Sequence, residues 1–461
     1  LQSAQNLAAT IPSQIIDHIS LGDQRPTVVQ LDAIINAEPD LVIFAGGTDN
    51  GASRSVIKQA ELLLQVCRIL PQEKRPHILY AGNHALARKI QDVFSKFTVV
   101  STAPNLRREI KGEDLSPAQE TLASMVTEHR IKQIGGMDFL ASLCCVPPLP
   151  ASHATGRMIN FLYRTGDPSK GVLGVNLGQK DVITAAARGG KLCLNVSPFL
   201  LREGIEEESI RAAENRILRW LPVEIPPGTV RDYIQQKTLY PESIPVTDQN
   251  LTIEQAIGRA ALETGMEQIR VNYPDLNETF EPVLTGGSIL SQMPTAWQKL
   301  LMLLDGLQPE GISTVILDQH DLLPALGAIA ETNAVLPIQV LESSAFQNLG
   351  TIICPVSPAR HGTPVLHIRI EFEKENETRL VIRQGSLTVL PLKNGQKAII
   401  HLEPLHHTRI EPGWQGGVIS FKITGGLCGA VIDARGRPIV LPGDPSRRRD
   451  LLSKWSLAFD E

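Results

Sequence analysis

Short apolar segments that lead into a glycine turn and then a helix constrain the fold of this chain more than any other feature. The apolar residues 41–44 are followed by AGGTDNG at residues 45–51 and by a helical pattern. A second apolar segment at residues 77–80 leads through a glycine turn into an amphipathic pattern at residues 84–94. This alternation predicts an α/β fold with a parallel, buried sheet that is covered by helices.

The middle of the chain has a different pattern. Residues 172–178, 181–187 and 191–196 are three short strand-like segments separated by tight glycine turns, which predicts an antiparallel meander. Further along, apolar segments at residues 281–285 and 313–317 each precede a helical pattern. The second part of the chain is therefore predicted to be α/β as well.

The length of 461 residues exceeds what one hydrophobic core supports, since single cores stop growing beyond roughly 250–300 residues. Three prolines within CVPPLP, near residue 150, predict a boundary there. After residue 345 the helical period gives way to period-2 alternation with Gly, Asn and Pro between the segments. We predict a first α/β lobe at residues 1–150, a second lobe at residues 151–344 and a C-terminal antiparallel β-barrel or sandwich at residues 345–461.

The composition of the chain argues against some classes of binding partner. The net charge of −5 and the aromatic content of 4% disfavour binding to nucleic acid or to an anionic membrane. No apolar run approaches the ~18 residues of a membrane span, and the six cysteines lack the spacing of a structural zinc site. We expect a soluble cytoplasmic protein with no nucleic-acid or membrane partner and no structural zinc site.

Three glycine turns after strands are candidates for phosphate binding, because glycine lets the backbone approach a ligand and a helix N-terminus offers free N–H groups. Either these turns bind an anion or they are packing turns. The Walker A and G-x-G-x-x-G patterns are absent from the sequence. The turns contain Gly46, Gly47, Thr48, Asp49 and Gly51; Gly178; and Gly286, Gly287 and Ser288.

The order of five segments resembles the accessory protein of glutamate mutase, the MutL family, over about residues 30–335. This family is unrelated to the mismatch-repair protein of the same name. The most specific segment is the AGGTDNG motif. The five segments are residues 39–51, 80–83, 172–182, 283–288 and 317–327.

The resemblance implies a member of the actin, heat-shock chaperone and sugar-kinase superfamily, in which two RNase H-like lobes close on ATP and Mg²⁺. It implies a chaperone-like ATPase that serves an adenosylcobalamin-dependent mutase. By the same resemblance, Gly286 and Gly287 match the adenosine turn, and residues 175–178 match the start of the second phosphate hairpin. The AGGTDNG motif matches the signature turn of the first lobe.

Departures from the family pattern imply a degraded ATPase site. Asn176 stands where the family has Asp, and the turn at Gly178 lacks the second glycine and the hydroxyl residues. The family's first phosphate hairpin is missing from residues 1–30, so we expect an actin-like fold truncated at its N-terminus, the hairpin being either upstream of Leu1 or lost. No catalytic residue is assigned.

The leading hypothesis is a divergent MutL-type protein that acts through protein partners and has a weakened nucleotide site. The alternative is a scaffold whose C-terminal β domain does the binding. A cluster of Asp318, His320 and Asp321 is interpreted as a helix cap rather than a metal site.

Overall fold

A computed structural model of the protein describes residues 1–109, 112–198, 207–273, 279–372, 377–411 and 416–459. The chain forms two compact units, Leu1–His153 and Ala154–Glu461. Within the described ranges, no helix has the length and apolar character needed to cross a membrane.

The first unit contains a three-stranded parallel sheet with the order β1-β2-β3. The parallel sheet predicted from the strand, turn and helix pattern is therefore confirmed. Its elements are α1 (Gln2–Ala8), α2 (Thr27–Ala37), β1 (Leu41–Phe44), α3 (Arg54–Ile69), β2 (His77–Tyr80), α4 (His84–Phe94), β3 (Val100–Thr102), α5 (Ser116–Gln133) and α6 (Met137–Leu143).

Helices α3 and α4 pack on this sheet because each has one apolar stripe. Buried residues recur every three or four positions, which places them on one side of a helix with 3.6 residues per turn. Asn83 begins α4 by accepting a hydrogen bond from the N–H of Ala85 at 3.0 Å. The core consists of Phe44, Val56, Ala60, Leu63, Cys67, Ile78, Tyr80, Leu86, Ile90 and Phe94.

The second unit contains an eight-stranded sheet and a four-stranded sheet. Helix α7 (Ala151–Thr165) begins three residues before the start of this unit. The elements that follow are β4 (Gly171–Leu177), β5 (Asp181–Arg188), β6 (Lys191–Pro198), α8 (Glu207–Leu218), α9 (Pro227–Leu239), α10 (Asp248–Asn272), β7 (Phe280–Gly286), α11 (Ser288–Gln292), α12 (Ala296–Leu307), β8 (Gly311–Asp318), α13 (Leu323–Ile329), α14 (Val335–Leu341), β9 (Phe346–Cys354), β10 (Pro364–Phe372), β11 (Glu377–Arg383), β12 (Leu387–Leu390), β13 (Lys397–Pro404), β14 (Ile419–Thr424), β15 (Ala430–Asp433) and α15 (Pro445–Leu457).

The large sheet has the order β12-β15-β9-β8-β7-β4-β5-β6. Strands β4, β5 and β6 form the predicted antiparallel meander. Strand β7 pairs parallel with β4, and β8 pairs parallel with β7, each reached through a helical crossover. Three parallel strands, β4, β7 and β8, therefore lie side by side, and their carboxyl ends share one edge of the sheet.

The C-terminal segment differs from the predicted barrel or self-contained sandwich. Strands β9, β12 and β15 extend the large sheet, and β9 pairs with β8 on one side and with β15 on the other. Only β11, β10, β13 and β14 form a separate antiparallel sheet, and no closed barrel forms within the described ranges. Strand β9 was missed because it is buried on both faces along most of its length and so lacks period-2 alternation.

The four-stranded sheet packs one face against the end of the large sheet. Its inward residues include Leu366, Ile368 and Ile400, which belong to one apolar cluster with Ile353 of β9 and Ile432 of β15. The two sheets therefore form a partial sandwich. The four-stranded sheet is one layer, and the end of the large sheet is the other.

A buried network of charges joins the C-terminal segment to the helices over the large sheet. The Arg435 guanidinium donates to Asp305 of α12 at 2.6 Å and to Asp433 of β15 at 2.8 Å. Arg259 of α10 also donates to Asp305, at 2.6 Å, and Arg437 donates to Asp433 at 2.9 Å. Burial disfavours the charged form of Asp433, but Arg435 and Arg437 outweigh it and hold the pKa of this carboxyl well below its usual range.

Replacing Arg435 with Met is expected to lower the free energy of unfolding by ~3–5 kcal/mol, because two buried carboxylates would lose a partner. The measurement is urea unfolding followed by circular dichroism. Arg449→Met is the matched control, since the ion pair of Arg449 with Glu224 is exposed and its loss should cost below ~1 kcal/mol. Equal losses in the two variants would contradict a stabilising role for the network.

Candidate functional site

The ten predicted site residues divide between the two units. In each unit they lie at, or shortly after, the carboxyl ends of parallel strands, where ligands of open α/β sheets commonly bind. The first unit holds Gly46, Gly47, Thr48, Asp49 and Gly51, and the second holds Asn176, Gly178, Gly286, Gly287 and Ser288.

In the first unit, the loops after β1 and β2 approach each other through their backbones. The N–H of Asn83 donates to the carbonyl of Gly46 at 2.9 Å. Gly47 has a φ of +71°, and a Cβ there would lie 2.7 Å from the carbonyl oxygen of Ala52. Glycine is therefore required at position 47 both for its backbone conformation and for the close packing of the turn.

Asp49 connects this turn to two other segments. Its Oδ1 accepts from the N–H of His84, the first residue of α4, and from Nδ2 of Asn105, both at 2.9 Å. Partial burial raises the pKa of Asp49, but these two hydrogen bonds prevail and hold it below its usual value. The carboxylate thus occupies the N-terminus of α4, where an external anion would otherwise be attracted.

Asn105 was not among the predicted residues. Its Nδ2 also donates to the carbonyl of Gly47 at 2.9 Å, and the residue is 4% exposed. It follows the third parallel strand, β3, so its position after a strand was the available signal, although no glycine marks the loop.

Replacing Asp49 with Asn keeps the size of the side chain and removes its charge. The expected loss of stability at pH 7 is ~0.5–1 kcal/mol, from the interaction of the carboxylate with the N-terminus of α4. Because the folded-state pKa is lowered, the contribution is present above about pH 4 and fades as the pH falls through the folded value.

Thermal unfolding from pH 7 down to pH 3 measures this dependence. The difference between wild type and Asp49→Asn should close at the acid end. Asp32→Asn, at an exposed position on α2, is the control and should differ little from wild type at any pH. A gap that persists at pH 3 would refute a charge-based role for Asp49.

In the second unit, three strands bring polar and small residues into register at one edge. Asn176 of β4 lies beside Gly286 of β7, and Gly286 lies beside Asp318 of β8. Gly178 follows β4, and its N–H donates to the carbonyl of Asp181 at 3.1 Å. All five predicted residues of this unit therefore lie together.

Gly287 lies against the backbone of β4. Its φ is +97°, and a Cβ there would lie 2.4 Å from the carbonyl oxygen of Leu177. Ser288 follows as the first residue of α11. No side chain fits at position 287, because the conflict is with backbone atoms that cannot rotate away.

Two carboxylates, Asp318 at the end of β8 and Asp321 shortly after it, lie at this edge. Nδ2 of Asn176, a residue 7% exposed, donates to Oδ1 of Asp321. Desolvation raises the pKa of Asp321, the hydrogen bond from Asn176 lowers it, and the nearby Asp318 raises it further, so the pKa lies above its usual value. The contact joins residues 145 positions apart, and sequence reasoning had no signal for it.

Asp318 accepts hydrogen bonds near the start of α13, but the N-cap residue of this helix is Leu322, not a member of the predicted cluster. Oδ2 of Asp318 accepts from the N–H of Leu323, the first residue of α13, at 2.7 Å, and its Oδ1 accepts from the N–H of His320 at 3.3 Å. Asp318 is 1% exposed, so these N–H groups supply the hydrogen bonds that its buried side-chain oxygens need.

Gly287→Ala is expected to lower stability by ~2–3 kcal/mol, because the methyl group would meet the β4 backbone and the residue would keep a strained positive φ. Gly228→Ala is the matched control. Gly228 lies in α9 with no heavy atom near its Cβ position, so alanine there should be neutral or stabilising by up to ~1 kcal/mol. Urea unfolding measures the stability of the two variants. Comparable stability would contradict the close approach of Gly287 to the β4 backbone.

The sequence matches the family described as MutL protein over residues 1–189 and 203–345. The chain therefore belongs to the MutL protein family, as the motifs predicted. It is also 21% identical over 260 residues to Protein MutL of Clostridium tetanomorphum. That alignment covers 52% of this chain and 54% of the relative, so the chain spans about half the length of the relative.

The family match contains all ten site residues and ends one residue before β9. Strands β9, β12 and β15 therefore complete the sheet from outside the matched segment.

Proposed function

We propose that this chain is an accessory protein of the glutamate mutase type. In this proposal the second unit is an RNase H-like lobe of the actin-like ATPase superfamily, and it binds a nucleotide weakly at the carboxyl ends of β4, β7 and β8. The chain acts through a protein partner, an adenosylcobalamin-dependent mutase. The single observation that carries the proposal is the registered edge formed by Asn176, Gly286 and Asp318.

The sheet order supports the lobe assignment. An antiparallel meander followed by two parallel crossovers gives the order β6-β5-β4-β7-β8, which is the arrangement of an RNase H-like lobe. Membership in the MutL family and the name of the relative support the accessory role.

The strand ends around Gly286 and Gly287 suit a nucleotide better than the polar groups around Asn176 suit the magnesium ion that accompanies ATP. The absence of side chains at Gly286 and Gly287 lets the ends of β4, β7 and β8 pack closely, and the edge that these strand ends form is where an α/β sheet would bind a nucleotide. A magnesium ion needs carboxylate or water ligands, yet Asn176 supplies an amide whose nitrogen donates to Asp321. The donor set is therefore incomplete for Mg·ATP hydrolysis, which supports a degraded ATPase.

The turn of the first unit is the weaker phosphate candidate. Asp49 already places a negative charge at the N-terminus of α4, and it would repel a phosphate there. Gly46, Gly47, Thr48 and Gly51 would offer only backbone and hydroxyl groups to such a ligand.

Restoring the carboxylate tests the metal part of the proposal. Asn176→Asp is expected to strengthen Mg·ATP binding about tenfold, since a third carboxylate beside Asp318 and Asp321 would complete a cation site. Without Mg²⁺ the variant should be less stable than wild type because like charges would face each other. Calorimetric titration with ATP in the presence of Mg²⁺ measures the binding, and thermal unfolding without Mg²⁺ measures the stability. Asn394→Asp, at an exposed turn, is the control for both.

Two outcomes would overturn parts of this proposal. Micromolar Mg·ATP binding with turnover by wild type would restore an active ATPase. No nucleotide binding by wild type or by Asn176→Asp at millimolar ATP would remove the nucleotide site.

The partner part is tested separately, by sedimentation of the full chain with a purified adenosylcobalamin-dependent mutase. Association that depends on ATP supports the accessory role. Association that ATP and Asn176→Asp leave unchanged favours the scaffold hypothesis, in which the four-stranded sheet is the binding surface. The isolated segment 346–461 is unsuitable for this test, because β9 would lose its pairing with β8.

A further inference from the structure

A cavity of about 590 Å³ lies in the second unit, on one face of β7, β8 and β9. Edge strand β14 of the four-stranded sheet borders it on the other side. This volume is within the range of small-molecule sites, which are typically ~300–1,000 Å³. The cavity is near the amino ends of β7 and β8, whereas Gly286 and Asp318 are at their carboxyl ends.

The charged residues that line this cavity are Glu281, Glu411, Lys170 and Lys422, and Lys422 is exposed. Glu281 of β7 accepts from the N–H and, at 2.7 Å, from the hydroxyl of Thr314, which leaves further lone pairs on its carboxylate. The Oδ1 atom of Asn348 is buried and has no hydrogen-bond partner among the residues that the structure describes. Such an acceptor is costly unless a donor reaches it.

The charges around Glu281 leave its carboxylate incompletely balanced. Lys170 and Glu411 line the same cavity and form a loose ion pair of 3.7 Å, so the nearest cation is already shared with a second carboxylate. Burial raises the pKa of Glu281, and the hydrogen bonds from Thr314 and the charge of Lys170 offset only part of this effect. A cation that entered the cavity would relieve this desolvation.

The remaining walls are apolar. Ile312 of β8 and Ile419, Phe421 and Ile423 of β14 contribute to the lining. A ligand that fits both parts has a donor-rich, positively charged end and an apolar body.

We propose that this cavity binds a small organic ammonium compound. The ammonium group donates to Glu281 and Asn348, and the apolar body packs on Ile312 and Phe421. This site is separate from the proposed nucleotide site and takes a ligand of the opposite charge, so either proposal can fail without the other.

Three probes of the same shape test the proposal on the full chain: 3-phenylpropylammonium, 3-phenylpropan-1-ol and 3-phenylpropionate. Calorimetric titration should give an affinity for the ammonium probe about tenfold above that for either other probe, as expected for a charge-assisted contact in a partly buried site. Glu281→Gln should remove this preference. The control Glu403→Gln, on an exposed part of β13, should leave it unchanged.

A second variant acts in the opposite direction. Lys170→Met removes the competing cation and should raise affinity for the ammonium probe about threefold, which a purely structural role of these residues would not produce. Equal affinities for the three probes, or a preference that survives Glu281→Gln, would overturn the proposal. If Glu281→Gln does not fold, unchanged or weaker binding by Lys170→Met has the same consequence.

Discussion

The buried ion network centred on Arg435 fixes how the second unit is assembled. Asp305 on α12 accepts from Arg259 of α10 and from Arg435, and the Arg435 guanidinium also lies 4.6 Å from the ring centroid of Trp455. Charges in a low-dielectric interior are tolerated only with their partners in place. Any arrangement that moved the end of β15 away from α12 would leave several of these charges unpaired. The network therefore favours the one assembly in which the C-terminal segment completes the large sheet.

This assembly determines what lies at the two ends of the sheet. At the carboxyl ends of β4, β7 and β8, close backbone approach and the residue pair Asn176 and Asp321 define the proposed nucleotide edge. Near the amino ends of β7 and β8, Glu281 and Asn348 line a cavity that β14 borders. Both sites lie on the same strands, so the register that aligns one also fixes the position of the other.

Much of the fold could be predicted locally. Strands β1 and β2 and helix α4 lie where apolar runs, a glycine turn and helical periodicity placed them, because each pattern reports burial on one side of a regular element. Of the predicted C-terminal barrel or sandwich, the barrel was wrong for the described residues. Strand β9 was missed because it shows no alternation and its pairing with β8 and β15 is non-local. The candidate site was predicted only at the segments where glycine follows a strand. Asn105 and Asp321 were missed because short side chains in loops gain their role only from distant partners.

The sequence by itself determined the family, from the order of its motifs, and the strand and turn positions, from short-range periodicity. The need for glycine at position 287 depends instead on the contact with Leu177 of β4. The tertiary structure decided which loops meet, which carboxylates accept hydrogen bonds from N–H groups at helix N-termini, and where the C-terminal strands pair. Asp49 at the N-terminus of α4, and Glu281 in its cavity, depend on contacts across tens of residues. Such contacts follow from the three-dimensional order of strands, which no local pattern encodes.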